Sequence, residues 1–323
     1  MPARDGVDAT RVVLRPDLWP SPELPTVLQA LLAAPVMAGV DPAEVRRQAA
    51  GGAVVDADGR PVELDAPVRR PVPVYLYREL EPEPPVPFGL PILYRDTDLV
   101  VVDKPHFLAT MPRGTHVTQT ALVRLRRELG NDQLAPAHRL DRLTAGVLLL
   151  TQRPGVRAAY HQIFARREAH KEYRALAPAD ERLTTTLRVS NRIEKGPGDL
   201  RSQVVSGPPN AVSDITLERV RPDGLGEYRL VPHTGRTHQL RVHMAGLGLP
   251  IVGDPLYPEV DAAALAAPGN GDFSSPLHLV AAVLEFTDPY SGNRRRFTSA
   301  RAGREFGAQP PQNTALLRPG PDR

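Results

Sequence analysis

The chain contains no cysteine. That removes disulfide scaffolds, cysteine nucleophiles, thiolate-ligated zinc and iron–sulfur clusters from consideration. No apolar run approaches the roughly 18 residues a membrane helix needs. The first residues, Met-Pro-Ala-Arg-Asp-Gly-Val-Asp, lack the apolar stretch of a secretory signal. A cytoplasmic protein with no membrane partner is therefore expected. Neither a dinucleotide fingerprint nor a P-loop is present. Lysine is scarce, at 3 residues against 37 arginines, a bias from which no function is drawn. What is present, 41% apolar and 24% charged residues over 323 positions, is the balance of a globular protein long enough for two domains.

The net charge is only +3, but it is unevenly placed. Residues 1–91 hold 9 arginines, no lysine and 13 carboxylates, whereas residues 111–175 hold 12 basic and 5 acidic residues. A local excess of that size suits a polyanion such as nucleic acid, and it equally describes a set of solvated helix faces.

Patterning divides the chain into a small N-terminal α/β module (residues 1–80), a Pro-rich linker (81–91), a larger domain (92–305) and a loose C-terminal tail (306–323). In the module, residues 28–36 suit a helix. Asp41 and Pro42 announce a second one, which Gly51-Gly52 stops. Asp58-Gly59 signals a hairpin between 53–55 and 61–64, and residues 72–77 suit a strand. The linker packs five prolines into eleven residues. Beyond it, the spacing predicts strands over 99–103, 146–151, 170–177, 227–232 and 277–286. Helices are expected over 118–129, 154–167 and from a Thr234 cap through Met244. The fold class expected is α+β: a mixed, mostly antiparallel sheet with flanking helices.

Three segments carry chemistry. The first, Ala137 to Gly146 (AHRLDRLTAG), sets Asp141 between Arg139 and Arg142 in a loop feeding an apolar strand. Alone, such an aspartate reads equally as a turn cap or an arginine partner. The second, His170-Lys171-Glu172-Tyr173-Arg174-Ala175, places Tyr173 and Lys171 on one strand face. A strand tyrosine there is either an ordinary half-buried aromatic or a stacking platform for a base. The third runs from His233 to His243 (HTGRTHQLRVH). Its histidines recur every five residues and not at the i, i+4 spacing of helix-borne metal ligands, so no metal site is expected. Arg236 and Arg241 near a helix N-terminus suit an anion, either a phosphate or a buried carboxylate.

Together the three segments resemble the signatures of RNA pseudouridine synthases of the RluA type: His-Arg-Leu-Asp-x-x-Thr-Ser-Gly (with Ala145 here for the serine), Lys-x-Tyr-x-Ala, and Thr-Gly-Arg-Thr-His-Gln-Leu-Arg-x-His. The third is followed by a run through Gly253-Asp254-Pro255 to Tyr257. Leu99–Pro105 also looks like the family's strand ending in Lys-Pro, and the likeness spans about residues 92–300. It implies that Asp141 is the catalytic aspartate and that Tyr173 lies against the target uracil. It implies further that Arg241 pairs with Asp141, that Arg139 fills the gap left by a flipped base, and that Leu240 lines the pocket. His138 and Arg236 join the substrate-binding set.

The implied reaction breaks the bond between uracil N1 and the ribose, turns the base and rejoins it through C5. No atoms enter or leave, so no cofactor is expected. The expected partner is a stem-loop of ribosomal or transfer RNA, bound by a monomer, with Tyr173 a candidate acceptor for the C5 proton. The competing reading is an RNA-binding or RNA-folding protein without catalysis. A glycoside hydrolase would want paired carboxylates, and only Asp141 sits in a motif. The N-terminal module resembles a degenerate alpha-L RNA-binding domain, with Arg46, Arg47, Arg60, Arg69 and Arg70 its candidate contacts, although its net charge is negative.

Overall fold

The computed structural model describes residues 1–306 apart from Arg78 and Glu81. The expected loose tail therefore lies outside the described residues from residue 307 onward. The chain divides into two compact units, Met1–Glu83 with Arg126–Asp132, and Pro84–Leu125 with the chain from Gln133 onward.

In the first unit, strands β1 (Thr10–Leu14), β2 (Val54–Val55) and β3 (Val72–Leu76) form an antiparallel sheet ordered β1-β3-β2. Helices α1 (Val27–Leu32) and α2 (Pro42–Ala50) complete it, and Leu14, Leu31, Val45, Val54 and Val74 lie in one core. Asp41 caps α2 by accepting from the Ala43 N–H at 2.9 Å. The expected hairpin is reduced to a turn: residues 61–64 are not a strand, and only a bridge joins Val55 to Pro61. Pro61 brings no N–H to a ladder, and β2 spends its pairing on β3. Three of the five candidate RNA-contacting arginines already hold carboxylates: Arg46 on Asp65, Arg47 on Glu44 and Arg60 on Asp58.

The second unit is built on one long sheet. Its strands are β4 (Ile92–Arg95), β5 (Leu99–Lys104), β6 (Ala135–Pro136), β7 (Ala145–Thr151), β8 (His170–Pro178), β9 (Leu187–Glu194), β10 (Gln203–Val205), β11 (Ala211–Val220), β12 (Leu225–Pro232), β13 (Leu279–Thr287) and β14 (Arg294–Thr298). The order is β10-β9-β11-β12-β8-β13-β7-β5-β4, with β6 beside β7 and β14 beside β13. Among the described residues only β7 and β13 pair in parallel. Around the sheet stand α4 (Pro154–Ala165), α5 (Gln239–Gly246), α6 (Ala262–Ala266) and α7 (Ala300–Phe306), while helix α3 (Ala121–Leu129) belongs to this unit only through Leu125. This is the expected α+β class.

Strands β5 and β7 are buried at every residue, which is why residues 99–102 and 147–150 read as continuous apolar runs. Gly146, where β7 passes β13, has φ +111°, and a Cβ there would stand 2.2 Å from the Ala281 carbonyl oxygen. Only glycine admits that approach. Ahead of β4, Val86 is buried, and its carbonyl accepts from Arg124 Nη2 at 2.6 Å.

Candidate active site

The loop between β6 and β7 carries His138, Arg139, Leu140 and Asp141, and buried polar groups fix its backbone. The Thr110 hydroxyl donates to the Leu140 carbonyl at 2.7 Å and accepts from the Leu140 N–H at 3.1 Å. Lys104, fully buried at the end of β5, donates through Nζ to the carbonyls of Pro105 (2.9 Å), Leu108 (2.7 Å) and Arg142 (3.4 Å). His106 Nδ1 reaches the Leu143 carbonyl at 2.8 Å. These anchors fix the loop that carries Asp141 ahead of β7, and none of them touches its carboxylate.

The third segment departs from expectation. Thr234 caps no helix: its hydroxyl donates to Gln239 Oε1 at 2.6 Å and accepts from the Val212 N–H at 2.8 Å, tying the loop to β11. Helix α5 starts only at Gln239, because its N-cap, His238, sits at φ +57° and breaks the helical path. The three histidines of the segment face separate partners: His233 meets Asp214 at 2.8 Å, His238 meets the Tyr257 hydroxyl at 3.0 Å and His243 meets Asn191 at 3.0 Å.

A cavity of about 500 Å³ opens where the three segments meet. His138, Arg139, Asp141, Tyr173, Arg236, Leu240 and Arg241, the catalytic and substrate-binding candidates of the second unit, all line it. Among the described residues, Asp141 is the only carboxylate in its wall. Tyr173 enters from β8, opposite Leu230 of β12 and Ala281 of β13. Burial, and then the charge of Asp141, push its phenol pKa well above the ordinary value. His138 stacks on Phe164 (centroids 4.5 Å apart) and accepts the Leu149 N–H at 3.1 Å through Nε2. Burial, followed by the charge of Lys171, lowers its pKa to about 3, so the ring is neutral.

Arg241 differs in its partner. It is 2% exposed and makes a two-pronged bond to Asp254, itself 1% exposed, at 2.7 and 2.5 Å. Among the described residues no ion pair within 4.0 Å joins it to Asp141, the partner the resemblance implied; the two interact at longer range. Asp254 Oδ1 also accepts the N–H groups of Leu256 and Tyr257, and the Tyr257 ring faces the guanidinium at 5.2 Å. Asp254 received no role from sequence reasoning, although it lies in the matched Gly-Asp-Pro run. Nor did Lys104, although it ends an apolar strand and stands in the matched Lys-Pro element.

The stretch that supplies most of this cavity's wall also falls within the range matched to a known protein family. The family model for RNA pseudouridylate synthase matches residues 98–246. The dual-specificity RNA pseudouridine synthase RluA of Salmonella typhi is 32% identical over 222 residues, 66% of this chain and 94% of that protein. An uncharacterised RNA pseudouridine synthase of Synechocystis is 32% identical over 63% of this chain and 70% of its own. Ribosomal large subunit pseudouridine synthase D of Xanthomonas campestris is 34% identical over 64% of this chain and 65% of its own. Among solved structures, human RNA pseudouridylate synthase domain containing 4 aligns over 64% of this chain and 87% of its own, with 25% identity and a TM-score of 0.49. The chain belongs to the RluA-type family of RNA pseudouridine synthases, which are isomerases.

Proposed function

We propose that the chain converts specific uridines of ribosomal or transfer RNA to pseudouridine, as a cytoplasmic monomer working without a cofactor, and that Asp141 is its essential carboxylate. The observation that carries this reading is the convergence of Asp141, Tyr173 and Arg241 on one cavity whose wall, among the described residues, holds no second carboxylate.

The reaction breaks the C1′–N1 bond, forms a C1′–C5 bond and moves one proton from C5 to N1. Asp141 supplies negative charge at the ribose side of the base, whether it attacks carbon or takes a proton. With Arg241 committed to Asp254, the Asp141 carboxylate keeps its lone pairs free for substrate. Tyr173 and Leu240 offer a stacking ring and an apolar wall that hold the detached uracil while it turns. The upward pKa shift of Tyr173 keeps its phenol protonated. It then works as platform and donor, and Asp141 is the better acceptor for the C5 proton. Arg139 and Arg236, exposed at the rim, suit the phosphates and the vacated stack of a nucleotide turned out of its helix.

The test is complementation of a strain lacking the gene with wild type or Asp141→Asn, mapping pseudouridine by carbodiimide labelling and reverse-transcription stops. One or a few sites should vanish in the deletion and return only with wild type. Turnover on the recovered RNA should fall by about a thousandfold or more in the variant. Restoration by Asp141→Asn would refute the essential role of the carboxylate and favour an RNA-binding function.

A further inference from the structure

Beside the main cavity lies a second, of about 400 Å³, which shares Phe164, Arg167, Lys171, Pro232 and His233 with it. Two cations dominate this shared wall. Lys171 is half-buried, and among the described residues neither Lys171 nor Arg167 has a carboxylate within ion-pair distance. That is unusual for this sheet, where Arg174 and Arg229 meet Glu218, and Arg188 meets Asp214. The histidines of the second cavity are also engaged, His170 with Glu172 and His233 with Asp214. Glu168 lines the cavity too, but it is exposed and bridges to neither cation.

Arg167 carries a second peculiarity. It terminates α4 in the left-handed region, at φ +61°, with its N–H on the Phe164 carbonyl at 3.2 Å. Glycine is the usual residue at such a helix end, and a side chain there costs backbone energy. An arginine is thus held in a strained conformation at the mouth of a cavity, next to a lysine that lacks a counter-ion. Burial, then Arg167 itself, lowers the Lys171 pKa, so the two charges oppose each other until an anion joins them.

We propose that the second cavity holds the backbone of the substrate RNA next to the target uridine, with one phosphodiester bound between Arg167 and Lys171. This rests on the functional reading above and extends it from the reacting nucleotide to its neighbour. The phosphodiester contributes a single negative charge and two acceptor oxygens, and each cation meets it through a charge-assisted hydrogen bond. The strand then enters across Pro232 and His233, and the target base drops into the main cavity.

The test uses the full chain and fluorescein-labelled pentauridylate, with anisotropy as the readout over a salt series. Lys171→Gln and Arg167→Gln should each weaken binding about tenfold, roughly 1.4 kcal/mol. Each should lower the slope of log affinity against log salt by about 0.7. Arg304→Gln, which removes an exposed cation elsewhere, should leave binding near wild type, and Lys171→Arg should restore it. A methylphosphonate scanned through the probe should weaken wild type at one linkage and add nothing to the loss in Lys171→Gln. A merely structural role for Lys171 predicts the same sensitivity at every linkage in both proteins, and that result overturns the proposal. So does unchanged binding in both glutamine variants. Tritium release from RNA labelled at uracil C5 is followed in parallel: if wild type releases tritium while the glutamine variants bind normally, this proposal fails and the functional reading stands. If wild type neither binds RNA nor releases tritium, both fall.

Discussion

Replacing Asp254 with asparagine tests whether the site is organised around a buried ion pair. Asp254 and Arg241 are 1% and 2% exposed and are joined by two short bonds. Asparagine keeps an acceptor for the N–H groups of Leu256 and Tyr257. It also sets an amide NH₂ against a guanidinium that can only donate, and it leaves the Arg241 charge buried without a counter-ion. Breaking one side of a buried pair costs about 3–5 kcal/mol. For a unit of this size each kcal/mol moves the melting temperature by about 2–4 °C, so a fall of roughly 6–20 °C is expected. The assay is urea and thermal unfolding of the full chain, with Asp65→Asn as control, because the Asp65–Arg46 pair has the same two-pronged form on the exposed surface. Arg241→Met/Asp254→Leu removes both charges and should recover part of the loss while remaining inactive. A shift in Asp254→Asn no larger than that of Asp65→Asn would refute the reasoning.

Two further outcomes follow from the same geometry. His138 titrates near 6.5 when unfolded and at about 3 in the fold. The unfolded chain therefore binds the extra proton between those values: this contribution to stability is complete above pH 6.5 and declines as pH falls, by about 1.4 kcal/mol per unit. His138→Gln should flatten the pH dependence of the urea midpoint below pH 6.5 by close to one proton, and an unchanged slope counts against a neutral, buried ring. Gly146→Ala should destabilise by roughly 3 kcal/mol or more, because its Cβ would stand 2.2 Å from the Ala281 carbonyl oxygen at a positive φ. A urea midpoint near wild type would show that β7 and β13 can separate without penalty.

The sequence made the fully buried strands of the sheet readable and hid an exposed one. Strands β5 and β7 are buried on both faces, so each carries a continuous apolar stretch, residues 99–102 and 147–150. Strand β9, Leu-Arg-Val-Ser-Asn-Arg-Ile-Glu, sets Leu187, Val189 and Ile193 at alternate positions but buries only Ile193, so its alternation is short and broken at Asn191. It is a strand because β10 and β11 pair on either side, which is information held elsewhere in the chain. The helix expected from Thr234 failed for a related reason. Thr234 has the chemistry of a cap, but its hydroxyl is claimed by Val212 and Gln239, contacts 22 and 5 residues away. A positive φ at His238, a residue that seldom adopts one, has no local marker.

The partner of Arg241 shows how a motif identifies residues without fixing their pairings. A direct bridge to Asp141 would have satisfied both groups and occupied the carboxylate oxygens. The bridge to Asp254 neutralises the guanidinium instead, since that pair has no net charge. The charges left to balance Asp141 are then other cations that feel it: Lys104, buried beneath its loop, and Lys195. Burial lowers the Lys104 pKa to about 7, and the charge of Asp141 is the chief influence opposing that fall. Three backbone carbonyls around Nζ favour the protonated form in the same direction. Loop position and aspartate charge are therefore linked through one side chain. Neutralising Asp141 weakens the hold on the Lys104 proton, and losing that ammonium loosens the carbonyls that place Asp141. A carboxylate with no ion-pair partner among the described residues, its loop held by a charge behind its own backbone, stays available to substrate.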